Sequence, residues 1–166
     1  MGDAQDARSA MQLANRLREF FQRRPGSVAP ERQAGAIPYA LVEGRVAFLL
    51  ITSRRTGRWI FPKGALMPGL SLPDVAAREA REEAGVSGAV ETASIGSYRD
   101  WKTKNLRRMP IEVAMFPLRV DEQHEEWREA GQRHRHWAIL AEARRLLGNP
   151  QLVDMIAEID RRAGGR

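Results

Sequence analysis

The chain contains no cysteine, which rules out disulfides and thiolate metal sites and leaves oxygen or imidazole groups as the only side-chain ligands for a metal. Oxygen-rich sites favour Mg²⁺ or Mn²⁺. No uninterrupted apolar run approaches the roughly 20 residues that cross a bilayer. The opening MGDAQDARSA also lacks the basic-then-apolar layout of a secretory signal. These absences predict a cytoplasmic location and no membrane partner. There is no repeat or low-complexity segment, no helix-turn-helix or zinc-finger spacing, and no interleaving of aromatic and basic residues of the single-strand-binding kind.

What is present fits one globular domain. The 166 residues are 43% hydrophobic and 29% charged, enough for a moderate core and too short for a second full domain. Basic residues exceed acidic ones by six, and the sequence pI is about 10.6, which suits a polyanionic partner such as a phosphate, nucleotide or nucleic acid.

Residues 4–24 place Ala10, Leu13, Ala14, Leu17, Phe20 and Phe21 on one side at helical spacing, an amphipathic helix that Pro25, Gly26 and Pro30 break. Its apolar face is expected to pack on its own domain or on a partner subunit, which leaves a homodimer open. The division expected is therefore an N-terminal helix and linker over 1–30 and the main domain over 31–163.

Two strands, AGAIPYALV and RVAFLLITS, should form a hairpin at Glu43-Gly44, with Pro38 on an edge or at a bulge. A short strand at Trp59-Ile60-Phe61 should end at Pro62-Lys63-Gly64, followed by a loop over 65–70. Ser71, Asp74 and Pro73 then read as a helix start, with Val75 to Ala84 helical and Gly85 the stop. Further strands are expected over 94–100, 111–120 and 136–140, a basic turn over 102–108, a polar loop over 121–132, and helices over 142–147 and 151–161. The sum is an α/β (α+β) arrangement, a mixed sheet with helices on its faces.

The chemistry is concentrated between Gly64 and Val86. Glu79, Glu82 and Glu83 stand at i, i+3 and i+4, which on an α-helix makes one acidic stripe a turn long. Like charges this close repel unless something positive lies among them, and a hard divalent cation with oxygen ligands would supply it. A solvated charged face, paired locally by Arg78 and Arg81, is the plain alternative. The context argues against it, because the stripe follows a strand, a Pro-Lys-Gly segment and a loop, and ends at glycine.

These residues resemble the signature of the Nudix family, G-x5-E-x7-R-E-U-x-E-E-x-G-U, with U a bulky aliphatic. Gly64, Arg78, Glu79, Glu82, Glu83, Gly85 and Val86 all fall at matching positions. Leu70 stands where the signature has its first glutamate, and Ala80 replaces an aliphatic residue, which predicts closer packing beneath the helix or a neighbour that fills the space. The resemblance implies an αβα sandwich and a hydrolase that uses Mg²⁺ or Mn²⁺ and water to cleave a phosphoanhydride bond in a nucleoside diphosphate linked to another group. Glu79 and Glu83 would be metal ligands, helped by the carbonyl of Gly64. Glu82 would be the base or water-orienting carboxylate, and Arg78 would brace a glutamate. Anhydride cleavage requires charge neutralised on phosphate oxygens and an aligned water, both of which such a cluster provides.

Within the family the chain is most similar to the diphosphoinositol polyphosphate and diadenosine polyphosphate phosphohydrolases, through TSRR before RWIFPKG, the AAREAREEAGV helix, and EEW followed by GQRHRHW. Arg54, Lys63, Lys102, Lys104, Arg107, Arg133 and Arg135 are the cations expected around the phosphates of an anionic small-molecule substrate. His124, His134 and His136 lack the spacing of a zinc pair, and Trp59, Trp127 and Trp137 are expected to pack in the core or at its rim, with stacking of a strand-end Trp on adenine the alternative. Two alternatives stand beside hydrolysis of a small molecule. One is a non-catalytic nucleotide-sensing module, and the other is pyrophosphate removal from 5′-triphosphate RNA, for which no separate RNA-binding segment is visible.

Overall fold

A computed structural model describes residues 29–104 and 106–164. The N-terminal helix expected over 4–24 lies outside the described residues, as does the side chain of Lys104. Eight strands form one mixed sheet: β1 (Glu31–Val42), β2 (Arg45–Thr52), β3 (Trp59–Ile60), β4 (Lys63–Ala65), β5 (Val86–Val90), β6 (Gly96–Lys104), β7 (Arg107–Gln123) and β8 (Arg135–Ile139). Its central path runs β3-β2-β1-β7-β5, with β4 beside β1, β6 beside β7 and β8 beside β2. The β1–β7 pair is parallel and the remaining pairs are antiparallel.

Alternation along the strands sends side chains to two faces, and each face carries its own core. Ile37, Phe48, Leu50, Val113 and Met115 pack with Leu152, Met155, Ile156 and Ile159 of the C-terminal helices, α2 (Leu140–Leu146) and α3 (Pro150–Gly164). On the other face Ala34, Ala36, Leu49, Ile51, Phe116 and Leu118 pack with Val75, Ala76, Ala80 and Ala84 of helix α1 (Leu72–Glu79) and its extension. The layering is αβα, as the signature implies. Ala80 is fully buried opposite a face that includes Ala34 and Ala36, so small residues on both sides replace the bulky aliphatic of the pattern.

Helix α1 begins as its sequence predicts. Ser71 and Asp74 form a reciprocal capping box and a proline stands in the first turn. Its end differs from the expectation, because residues Ala80–Ala84 wind as a π-helical turn that closes with the Gly85 N–H donating to the Ala80 carbonyl. Such a turn packs more residues per revolution than an α-helix. Glu83 therefore comes closer to lying directly over Glu79, and Glu82 lags further round the helix.

Other expectations are corrected. Pro38 is buried in the central strand β1, where β1 changes partner from β4 (through Gly35) to β2 (from Tyr39), so the missing N–H falls between two ladders. Lys63 and Gly64 do not merely end a strand but form β4 against β1. Strand β5 was not anticipated, since VSGAV lacks a long apolar alternation, and β7 runs to Gln123, into the segment expected to be loop. Most of the basic turn expected over 102–108 lies in the β6–β7 ladder instead: Lys102 pairs with Met109, Thr103 with Arg108 and Lys104 with Arg107.

Candidate active site

The acidic centre lies where β4 passes under α1. A Cβ placed on Gly64 would come within 2.2 Å of the Glu79 Oε1, so a side chain there would displace the carboxylate that rests against the backbone. Glu79 itself is only 9% exposed. Among the described residues nothing hydrogen-bonds its carboxylate. Burial, then the charges of Glu83, Glu82 and Glu129, push its carboxyl up to about 7, against a weaker pull from Arg78.

Glu83 is more firmly held. Its Oε2 accepts the Lys63 backbone N–H at 3.0 Å, and its Oε1 accepts from the buried Arg133. Arg133 also donates to the Thr52 carbonyl at 2.9 Å and to Glu129 at 2.5 Å. Burial raises the Glu83 carboxyl despite the opposing charge of Arg133 and the Lys63 N–H. Glu129 is the member that sequence reasoning missed. It lies in the polar loop before β8 and sends its charge onto both Glu79 and Glu83. A lone glutamate in such a loop carries no periodic signal, although it sits between the EEW and GQRHRHW segments of the resemblance.

Glu82 is placed elsewhere. The π turn leaves its carboxylate between Arg78, at 2.8 Å, and Arg128, at 2.6 Å, beside a groove shared with His124 and Trp127. Burial works against its ionisation, but hydrogen bonds and charge from the two arginines outweigh it and hold the carboxyl below its usual range. Arg78 is thus hydrogen-bonded to Glu82.

The predicted phosphate-binding cations divide into three sets. Arg133 reaches the acidic centre directly through its side chain and Lys63 through its backbone N–H, and Arg54 lies 3.4 Å from Glu129 and 3.1 Å from Gln132 at its edge. Burial lowers the Lys63 ammonium, partly offset by Glu83 and Asp100. Arg107 is exposed on the hairpin, and Lys102 is paired with Glu31 rather than with the centre. Arg135 is turned to structural use. It stacks on Trp127 at 3.8 Å and donates to the carbonyls of Ala84 and His124, while Trp127 Nε1–H donates to the Glu83 carbonyl. This clamp grips the last turn of the helix where Gly85, at φ 65°, has no Cβ to obstruct Trp127. The three histidines go to separate partners: His124 to Ser87, His136 to Glu142, and the His134 backbone to Thr52.

The donor set is suited to a hard cation. Glu79, Glu83 and Glu129 offer carboxylate oxygens, the charge of Glu79 is relieved only weakly by Arg78, and the site contains no soft ligand. Among the described residues these groups do not yet converge as three ligands, because the Arg133 guanidinium stands between Glu83 and Glu129.

A helix carrying carboxylates on a mixed sheet, over a glycine strand and beside buried cations, is the candidate site. The family model for the NUDIX domain matches residues 31–159, and the chain belongs to the Nudix family. Among curated relatives, Arabidopsis thaliana "Nudix hydrolase 21, chloroplastic" is 38% identical over 120 residues, covering 69% of this chain and 59% of that protein. "Nudix hydrolase 17, mitochondrial" of the same plant is 35% identical over 139 residues, covering 80% and 74%. The chain thus spans about three-fifths of the length of the first of these relatives. Among solved structures, a C. elegans Ap4A hydrolase binary complex aligns with TM-score 0.60 at 19% identity, over 81% of this chain and 98% of that one. The NUDIX domain of Shewanella oneidensis NrtR, complexed with ADP ribose, aligns with TM-score 0.61 at 15% identity, over 84% and 96%. At these identities the structures speak for the fold.

Proposed function

We propose that the protein is a divalent-metal-dependent hydrolase that cleaves a phosphoanhydride bond in a nucleoside-diphosphate-linked or polyphosphorylated small molecule, with a dinucleoside polyphosphate or an inositol pyrophosphate the favoured substrates. The observation that carries this reading is the Glu79 carboxylate, pressed against Gly64, surrounded by acids and raised to about 7. An arrangement so unfavourable in isolation is the cost of a cation site, and perturbed acids of this kind cluster at functional centres. Glu79, Glu83 and the Gly64 carbonyl would hold Mg²⁺ or Mn²⁺. When bound, the cation neutralises charge on the phosphate oxygens and acidifies water.

The chain's own groups complete the work. Lys63 and Arg133 hold phosphate oxygens beside the acids, and Arg54 adds charge at the rim. Glu82, tied by two guanidiniums, stays ionised and is a weak base, so its surroundings favour the water-orienting role over proton abstraction. Arg133 must loosen its hold on Glu83 for that residue to serve a cation. This requirement also supports the second reading, a nucleotide-sensing module in which Arg133 stays in place and no turnover occurs.

The test is a substrate screen with Mg²⁺ and Mn²⁺ across dinucleoside polyphosphates, inositol pyrophosphates, ADP-ribose, nucleoside triphosphates and 5′-triphosphate RNA. Glu83→Gln should lower kcat for the preferred substrate about a hundredfold or more while leaving the far-UV spectrum unchanged. Binding without product under either metal would favour the sensing module, and equal rates in Glu82→Gln and Glu83→Gln and the parent would refute the hydrolase.

A further inference from the structure

One segment, residues 124–135, finishes the acidic helix. A helix ends with carbonyls that have no partner within it, yet here four in succession are taken, all by this segment. The Glu82 carbonyl accepts the Glu129 N–H at 3.2 Å and that of Glu83 accepts the Trp127 Nε1–H at 3.2 Å. The Ala84 carbonyl accepts from Arg135 at 3.2 Å, and that of Gly85 accepts the His124 N–H at 2.8 Å. The same segment grips the carboxylates of that turn. Arg128 donates to Glu82 at 2.6 Å, and Arg133 donates both to Glu83 and to the segment's own Glu129. Glu82 and Glu83 are therefore each held twice, by carbonyl and by carboxylate, from one stretch of chain.

We infer that Trp127 is a positioning residue of the acidic centre: its indole docks this segment on the helix end, and the docking fixes where the carboxylates of Glu83 and Glu129 stand. Only the consequence for turnover rests on the hydrolase reading. Three observations single out Trp127 within the segment. The first is its neighbours in the chain. Arg128 and Glu129 follow it directly, and a turn closes behind it, with the Ala130 N–H donating to the Trp127 carbonyl at 3.1 Å and the Gln132 N–H to that of Glu129 at 2.9 Å. A ring that shifts carries both side chains with it. The second is fit. The Arg135 guanidinium lies over the ring at 3.8 Å, and Gly85 is so near that a Cβ there would come within 2.7 Å of it. A cation stacked in a partly buried place holds its ring more firmly than one in open solvent.

The third observation is where the indole bond falls. Its acceptor, Glu83, lies inside the π turn over Ala80–Ala84. Such turns are rare and need support from outside the helix. Rewinding to an α-helix would carry the Glu83 carbonyl and its carboxylate round together, so a hold on the first sets the second. The described hydrogen bond of the indole goes to a carbonyl and not to a carboxylate, which means that Trp127 acts on the acids through the backbone.

The Lys63 backbone N–H, which donates from β4 to the Glu83 carboxylate at 3.0 Å, gives a readout that needs neither metal nor substrate. Its amide signal is followed by NMR in the full chain with a chelator present. Trp127→Phe keeps an aromatic face for Arg135 and loses the N–H donor, whereas Trp127→Leu loses both. Ile156→Val, buried in the core on the other face of the sheet, is the control that lowers stability away from the helix end. We expect the Lys63 signal to move in Trp127→Phe, to move further in Trp127→Leu, and to stay in place in Ile156→Val. Calorimetric titration of Mn²⁺ should show affinity at least fivefold weaker in Trp127→Phe and within twofold of the parent in Ile156→Val. A Lys63 signal unmoved in both Trp127 variants would overturn the inference, as would, in a parent that binds the ion, a loss of Mn²⁺ affinity no greater in Trp127→Phe than in Ile156→Val. A parent that binds no Mn²⁺ and hydrolyses nothing would refute the hydrolase, and the Lys63 signal would still decide the role of Trp127.

Discussion

Around Glu79 the molecule is largely closed, whereas at the β6–β7 hairpin it is open, and the same unit of charge counts differently in the two places. At the centre, Glu79 and Glu83 are nearly buried, and Arg133, 8% exposed, is committed to three acceptors. At the hairpin Arg107 and Arg108 stand in solvent, Lys102 is already paired with Glu31, and Leu106 at the tip is fully exposed. Buried charges that lack a partner are costly, while exposed pairs contribute at most about 1 kcal/mol. On the proposed reading, the comparison assigns selection of a cation to the centre and adjustment of substrate preference to the rim.

After the Glu83 substitution, the change that should break this contrast most strongly is Gly64→Ala. The new methyl would meet the Glu79 carboxylate, the far end of a side chain that can swing aside, so the fold should hold while the carboxylate moves. We expect a melting temperature within a few degrees of the parent and kcat/KM lowered on the order of a hundredfold, about 2.7 kcal/mol of lost transition-state stabilisation. Calorimetric titration of Mn²⁺ should show weakened binding. Parent-like metal affinity would mean that Glu79 does not need its place against the backbone.

A smaller effect should appear in the pH dependence of the metal-free protein. Glu79 titrates near 7 when folded and near 4.5 when unfolded. The folded state therefore binds more protons between those values, and its stability should fall as pH rises from about 4.5 to 7. The expected contribution is of the order of 2 kcal/mol, less than the full shift would give because water reaches one side of the group. Urea melts with a chelator should show this slope in the parent and lose it in Glu79→Gln. Mg²⁺ should restore stability above pH 7 and do little near pH 4.5. A slope unchanged by the substitution would place the unrelieved charge on another group.

The two regions also differed in how far the sequence revealed them. The acidic helix was legible because its signals are local: a capping box, a glycine stop and carboxylates at fixed spacing. The π turn was not, since the register of Glu82 depends on the Trp127–Arg135 clamp, which comes from a segment more than 40 residues away. The same distance concealed Glu129, and it turned Arg135 from a predicted phosphate ligand into a helix grip. Strand β5 escaped because its pairing with the end of β7 is set by tertiary contact around a bulge at Ser87/Gly88, and VSGAV carries little periodicity of its own.

The hairpin should give the smallest effect and the one most dependent on substrate. Lys104 and Arg107 are cross-strand partners at the end of the β6–β7 ladder, and the Arg55 guanidinium reaches the Thr103 carbonyl at 3.2 Å, which ties the β2–β3 turn bearing Arg54 to this hairpin. Phosphates extending out of the acidic centre past Arg54 would thus meet the hairpin only if the chain of phosphates is long. The Arg107 side chain is exposed, so a contact with it is screened and should be worth less than about 1 kcal/mol, a few-fold in rate. Neutralising both positions, Lys104→Gln with Arg107→Gln, should lower kcat/KM a few-fold for diadenosine hexaphosphate and hardly at all for ADP-ribose, with the difference shrinking as salt is raised. A loss of equal size on both substrates would show that the hairpin acts through general charge attraction and does not read phosphate number. A loss greater than a hundredfold on the long substrate would instead mean that the hairpin closes onto the centre and shares its low-dielectric surroundings, and the contrast drawn between the two regions would have to be abandoned.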